Sequence, residues 1–193
     1  MKKSTIVFLA VAAVLVLWCI SSYNSLVQLD EKVNASWGHV ETQYQRRADL
    51  IPNLVEVVKG YAKHEEQTLT AVIEARSKAC SITIDPSNVT PEQLNQFMEA
   101  QNGVSSALNR LLAVAESYPN LKAESRFADL QAQLEGTENR IAEARREFNE
   151  TAKDYNLEIR SFPNNILGGI FGLSTRPYFE SEYGANKAPE VKF

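Results

Sequence analysis

Between Phe127 and Phe162 the chain reads FADLQAQLEGTENRIAEARREFNETAKDYNLEIRSF, and Phe127, Leu134, Ile141, Phe148, Tyr155 and Phe162 fall seven residues apart. Leu130, Ala144, Ala152 and Ile159 fill the three- and four-residue steps beside this ladder. A strict seven-residue repeat keeps one stripe of a helix against a neighbour and imposes a left-handed, coiled-coil-like seam. The stretch is therefore a long helix that needs a helical partner.

Working outward, the same spacing recurs towards the N-terminus. Leu26, Val33 and Val40 are seven apart, interleaved with Trp37, Tyr44 and Ile51. A second helix is expected from Pro52, which suits a first-turn position, with Asp49 as its cap. It carries Leu54, Val55, Val58, Tyr61, Ala62, Leu69, Val72 and Ile73. Thr90-Pro91-Glu92-Gln93 opens a third helix with a capping box, and Tyr118-Pro119-Asn120 ends it. Ser81-Ile82-Thr83-Ile84 alternates but stops at Asp85-Pro86, and reads as loop. The fold class expected is all-α: an N-terminal transmembrane helix followed by an antiparallel up-down four-helix bundle with long coiled-coil-like helices. Residues 1–22 form the membrane anchor, 23–162 the bundle, and 163–193 an apolar, glycine-rich segment with an irregular C-terminal tail.

The anchor is Ile6 to Ile20, an unbroken apolar run that follows Lys2 and Lys3; no charge returns until Asp30. With its flanks it reaches the roughly 17–25 residues that span a bilayer. Ile6, Phe8, Leu15, Trp18 and Ile20 are its membrane-facing residues, and Trp18 and Tyr23 sit where an interfacial aromatic belt lies. A cleaved signal peptide would have a shorter apolar region and a small-x-small site, for which Cys19 and Ile20 are poor. Bulky Trp18 before Cys19 argues against a lipoprotein box. The positive-inside rule keeps Lys2 and Lys3 cytoplasmic and places the domain outside the cytoplasm. The chain has a net charge of −4, and its domain without those lysines is more acidic still. That disfavours nucleic acid and anionic surfaces as partners. Cys80 is the single thiol outside the anchor, so core packing must supply stability.

Following the helix directions puts the loop Cys80–Val89 near the membrane, Tyr118-Pro119-Asn120 at the distal tip, and the end of the ladder helix back at the bilayer. What arrives there is apolar and too short to span. Ile166, Leu167, Ile170, Phe171 and Leu173 are the candidate membrane-proximal contacts, either lying in the interface or covering the open end of the bundle.

Candidate chemistry is sparse. His64-Glu65 suggests a zinc motif, but Thr68 stands where the second histidine belongs. Neither His39 nor His64 has a glutamate three residues before it, which excludes the paired Glu-x-x-His of di-iron bundles. Gly168-Gly169 and Gly172 lack the lysine of a phosphate loop. No catalytic residue, metal ligand or cofactor site is assigned. The remaining cluster is polar: Arg46, Arg47 and Asp49 at the end of the first hairpin, with Glu138 and Arg140 on the ladder helix. Arg47 occupies a heptad position otherwise held by Leu26, Val33 and Val40. A charge on an apolar seam needs a partner, so the cluster is either a register-fixing ion pair or a docking surface.

These residues also carry a family resemblance. Tyr23-Asn24-Ser25-Leu26-Val27, Val33-x-x-Ser36-Trp37 and Gln43-x-x-Arg46-Arg47-x-Asp49-Leu50-Ile51-Pro52-Asn53-Leu54 resemble the LemA family. So do Lys59-Gly60-Tyr61-Ala62-x-His64-Glu65, Leu111 to Glu116 with Tyr118-Pro119, Leu134-Glu135-Gly136-Thr137-Glu138-Asn139-Arg140-Ile141, and Phe162-Pro163-Asn164. The resemblance covers nearly the whole chain; Ser36 stands where alanine is the family's residue. It implies a bacterial, membrane-anchored helical bundle of the cytoplasmic membrane without an established activity. One relative is tied to building the magnetosome membrane compartment, and others are encoded beside membrane metallopeptidases. The function expected is a non-enzymatic, membrane-anchored scaffold that self-associates or binds another envelope membrane protein. The alternatives are an adaptor for an envelope metallopeptidase and a ligand-sensing bundle, which would need a polar pocket between helices.

Overall fold

The computed structural model describes residues 3–180 of the chain. Its elements are α1 (Lys3–Tyr61), α2 (Glu66–Cys80), α3 (Pro91–Ala115), the short α4 (Pro119–Lys122), α5 (Ser125–Arg160) and α6 (Asn164–Phe171). There is no strand among the described residues. Lys2 and the tail from Ser181 to Phe193, including Pro189, lie outside them.

Helix α1 is one element of 59 residues, about 88 Å at 1.5 Å per residue. Sequence reasoning placed a helix boundary at Pro52, and that was wrong. Proline has no N–H for the carbonyl one turn back, here that of Ala48. The Arg76 side chain of α2 donates its Nε–H to this carbonyl at 2.7 Å. The missing helical bond is replaced from a neighbouring helix, so α1 continues through Pro52 to Tyr61. The reversal falls at residues 62–65 instead, and His64 lies in that turn rather than on a helix.

Helix α5 runs antiparallel to α1 in one sustained register. Ser36 and Thr151 share a hydrogen bond at 2.8 Å, His39 meets Glu147 at 3.3 Å, Arg47 meets Glu138 at 2.8 Å, and Tyr61 donates to Glu124 at 2.7 Å. Helices α2 and α3 form the other pair, α2 also packing on α1. Thr90 caps α3 in a full capping box with Gln93. At the tip Tyr118 donates to Glu65 at 3.0 Å, closing the α1–α2 turn onto the end of α3.

The core is in two parts. One, towards the N-terminal end of the bundle, gathers Leu26, Val33, Trp37, Phe97, Phe148 and Tyr155. The other, towards the tip, gathers Ile51, Leu54, Val58, Leu108, Leu111 and Leu134. The ladder residues Phe127, Leu134, Ile141, Phe148 and Tyr155 are all buried in these clusters. The seam of α5 is spent inside its own chain.

The packed body runs past the boundary expected at residue 162. Residues 173–180 have no regular secondary structure, yet Phe179 is buried in the first cluster, its ring stacked on Trp37 at 5.8 Å and edge-on to Phe148 at 5.2 Å. Two asparagines one heptad apart on α5 hold this strap as a neighbouring strand would. Asn149 accepts from the Phe179 N–H at 2.8 Å and donates to the Phe179 carbonyl at 2.9 Å. Asn156 does the same for Arg176, at 2.7 and 2.8 Å.

Candidate functional site

Two regions hold the residues singled out from the sequence. The first is the N-terminal part of α1 with α6. From Lys3 to Ser25 the α1 side chains are exposed or half-buried, and burial begins at Leu26. Ile6, Phe8, Leu15 and Ile20 are exposed, and Trp18 is half-buried. The helix is long and apolar enough to cross a membrane, with a mean hydropathy of 2.5 over a window of which nothing is buried. A helix apolar around its whole circumference requires apolar surroundings on every side, and the bundle offers none there.

Helix α6 returns to this end. After the cis Phe162–Pro163 bond, Asn164 donates to Glu158 at 2.5 Å, and Leu167 and Gly168 turn inward. A Cβ on Gly168 would lie 2.8 Å from the Ile159 side chain, so glycine permits the close approach of α6 to α5. Gly172 ends the helix in the left-handed conformation, φ 68°, which glycine adopts without a Cβ penalty. The Phe171 ring rests on Tyr23 of α1, centroids 4.7 Å apart. Of the five candidate membrane-proximal residues, the structure separates two from the rest. Leu167 is buried and Leu173 packs on the core, whereas Ile166, Ile170 and Phe171 are exposed.

The second region is the layer between the two core clusters. Arg47 is not at the end of a hairpin, as the supposed break at Pro52 implied; it sits in mid-bundle with its side chain 2% exposed. Its guanidinium donates to Glu138 at 2.8 Å, to Ser105 at 2.8 Å, and to the side chain and carbonyl of Gln101 at 2.6 and 3.1 Å. It also lies over the Tyr44 ring, 5.1 Å from the centroid. Burial raises the Tyr44 phenol above its ordinary range, against the opposing pull of Arg145 and Arg47. One cation thus ties α1, α3 and α5 together at one level. Arg46, Asp49 and Arg140 do not join it: all three are exposed, and Asp49 accepts from Gln45 at 2.7 Å on its own helix. A groove of about 870 Å³ runs beside this layer, between α1, α2 and α3, past Arg46, Asp49, Arg76 and Cys80. The Arg47 guanidinium at its edge spends both terminal nitrogens on Glu138, Ser105 and Gln101.

Sequence reasoning missed Arg176. It belongs to the strap, and its side chain is buried, paired with Asp30 of α1 and donating to the Ser87 carbonyl of the loop between α2 and α3. Burial raises the nearby Tyr155 phenol, and Asp30 adds to that. The signal available was a lone arginine beside proline in a polar stretch without periodicity, which names no partner. Among the described residues, no three His, Cys, Asp or Glu side chains converge on a site for a metal ion.

The LemA family model matches residues 36–193. Magnetosome protein MamQ 2 of Paramagnetospirillum magneticum is 28% identical, over 83% of this chain and 65% of its own length. MamQ of Magnetospirillum gryphiswaldense is 27% identical over the same shares. Protein LemA of Metamycoplasma hominis is 23% identical, over 82% of this chain and 68% of its own length. The chain therefore spans about two thirds of the length of the curated relatives it matches.

Proposed function

Because the chain belongs to the LemA family, we propose that it is a membrane-anchored, non-enzymatic scaffold of the bacterial envelope, anchored once through α1. One observation carries this reading: a single helix runs without interruption from an uncovered apolar segment into the buried core. A flexible link would let a domain wander; a continuous helix transmits the position of the anchor to the whole bundle. The conspicuous polar groups, Arg47 and Arg176, are committed to internal register, a use for which buried ion pairs are suited. Lys2 and Lys3 before the apolar run favour a cytoplasmic N-terminus and an extracytoplasmic bundle.

The relatives named as magnetosome proteins support a role at a membrane-bound structure for this chain as well. A scaffold acts by contact, so it must self-associate or hold a membrane partner. The test is extraction of the full chain from cells in mild detergent, followed by measurement of its native mass and co-extracted proteins. A mass of several copies, or a stoichiometric membrane partner, is expected. A metallopeptidase as that partner would make the scaffold an adaptor. A lone monomer would contradict the reading.

A further inference from the structure

We propose that α6 and the turn before it are a second membrane contact, with Phe162, Ile166, Ile170 and Phe171 seated in the headgroup–acyl boundary of the bilayer that α1 crosses. The inference rests on the anchored reading of α1 and adds to it a lateral seat.

Three observations converge. The first is the uncovered area. Phe162 is 82% exposed, Ile170 70%, Ile166 54% and Phe171 50%. Four large apolar side chains therefore point outward within ten residues, while the α5 ladder that precedes them is buried. Exposed apolar side chains gathered on one short segment mark a contact surface.

The second is that the outward face is fixed. Asn164, Leu167 and Gly168 are the buried residues of α6. Rolling Ile166 or Ile170 inward would bring a branched side chain to the place where even a Cβ at position 168 meets Ile159 at 2.8 Å. The helix cannot hide its apolar side against the bundle.

The third is height. The Phe171 ring touches Tyr23, three residues beyond the end of the apolar run at Ile20, a rise of about 4.5 Å along α1. That places α6 at the level where the bilayer ends. An amphipathic segment lying in the interface buries its apolar side about 5–10 Å deep, so the end of the apolar run lies within its reach. From Ser161 to Gly172 there is no charged residue, so nothing opposes insertion and nothing ties it to anionic lipid. Leu157 of α5 and Val27 of α1 are exposed as well. Continuity with the α1 anchor favours lipid as the occupant over a second copy, because the bilayer already lies against this end of the molecule.

The consequence is orientation. One spanning helix leaves the bundle free to turn about its own axis and to tilt; a second contact beside it removes both freedoms. The bundle then presents a fixed side along the membrane.

The test uses the full chain carrying Cys19→Ala and Cys80→Ser, reconstituted in phosphatidylcholine vesicles, with one spin label at a time. Labels at Ile170→Cys, at Leu15→Cys in the anchor, and at Ile73→Cys on α2 report collisions with oxygen and with an aqueous nickel chelate. The seat predicts that Ile170 loses nickel collisions and gains oxygen collisions relative to Ile73, at a depth shallower than Leu15. Adding phosphatidylglycerol leaves that depth unchanged. If Ile170 is as water-accessible as Ile73 while Leu15 is deep, the seat is overturned and the anchor stands. If Leu15 is water-accessible too, the anchored reading itself fails. Dipolar broadening at Ile170 that disappears on dilution with unlabelled protein would show a second copy covering the face, and would also overturn the seat.

Discussion

The molecule carries two apolar surfaces of similar richness, and its own chain covers only one of them. The ladder on α5 meets α1 and the strap, and its members from Phe127 to Tyr155 are buried. The run from Ile6 to Ile20 and the outward side of α6 stay largely exposed, with Phe171 resting on Tyr23 just beyond the run. The difference lies in what separates the apolar residues. On α5 charged or polar residues intervene on every turn, so the apolar residues form one stripe and one neighbour satisfies it. In the anchor no charge intervenes, so the whole circumference must be satisfied at once, and a bilayer does that. A stripe determines a fold; a sleeve determines a location.

The sharpest way to break this contrast is to charge the ladder. Phe148 sits among Trp37 and Phe179, and Phe148→Glu leaves a buried carboxylate without a partner. Loss of cooperative unfolding by circular dichroism is expected, and Phe148→Ala should cost about 3–5 kcal/mol. A folded but dissociated Phe148→Glu protein would mean that the ladder is an interface after all. Next comes the polar layer between the two cores. Arg47→Ala strips the partner from Gln101 and Glu138 together, with an expected loss of about 3 kcal/mol in urea unfolding, whereas exposed Arg46→Ala should stay within about 0.5 kcal/mol. Equal effects from the two would remove the distinction between register ion and surface charge.

Asn156→Ala should be milder, about 2 kcal/mol, because the buried N–H and carbonyl of Arg176 lose their partner; proteolysis after Gly172 should accelerate in step. At the other side of the comparison, Ile170→Ser should shift the stability of the bundle by under about 0.5 kcal/mol, since its side chain is largely exposed. The smallest effect is at the tip. The hydrogen bond from Tyr61 holds Glu124 below the usual carboxylate range and raises Tyr61. A depressed acid stabilises the fold above its unfolded value and loses that contribution as pH falls through its folded value. A raised phenol loses its contribution as pH rises through the folded value. Tyr61→Phe should therefore differ from the parent at neutral pH, and the difference should fade at both extremes of a pH series of unfolding midpoints.

Much of the fold was legible because it follows from periodicity. The ladder, the Thr90 cap and the apolar run are local patterns with local causes. What was illegible depends on partners distant in sequence. Pro52 reads as a helix start unless Arg76 is known to reach the Ala48 carbonyl. The strap has no period, and its place in the core depends on Asn149 and Asn156 each bonding both polar groups of one residue. Physics required a partner for Arg47 without saying whether it would come from inside the chain. The position of that residue was misjudged only because the turn was placed too early. On α6 composition marked an apolar segment, but the division between Leu167 turned inward and Ile170 turned outward needed the packing against Ile159.

The central claim, a rod anchored at one end that works by contact there, is tested most directly by in-cell cross-linking of lysines with mass spectrometry. Lys32 and Lys153 are exposed on the half of the bundle nearest the anchor. The account predicts Lys32–Lys32 or Lys153–Lys153 links, which only two copies can make, or links from these lysines to another membrane protein. Cross-links that a single copy satisfies by itself, with none to any neighbour, would contradict it.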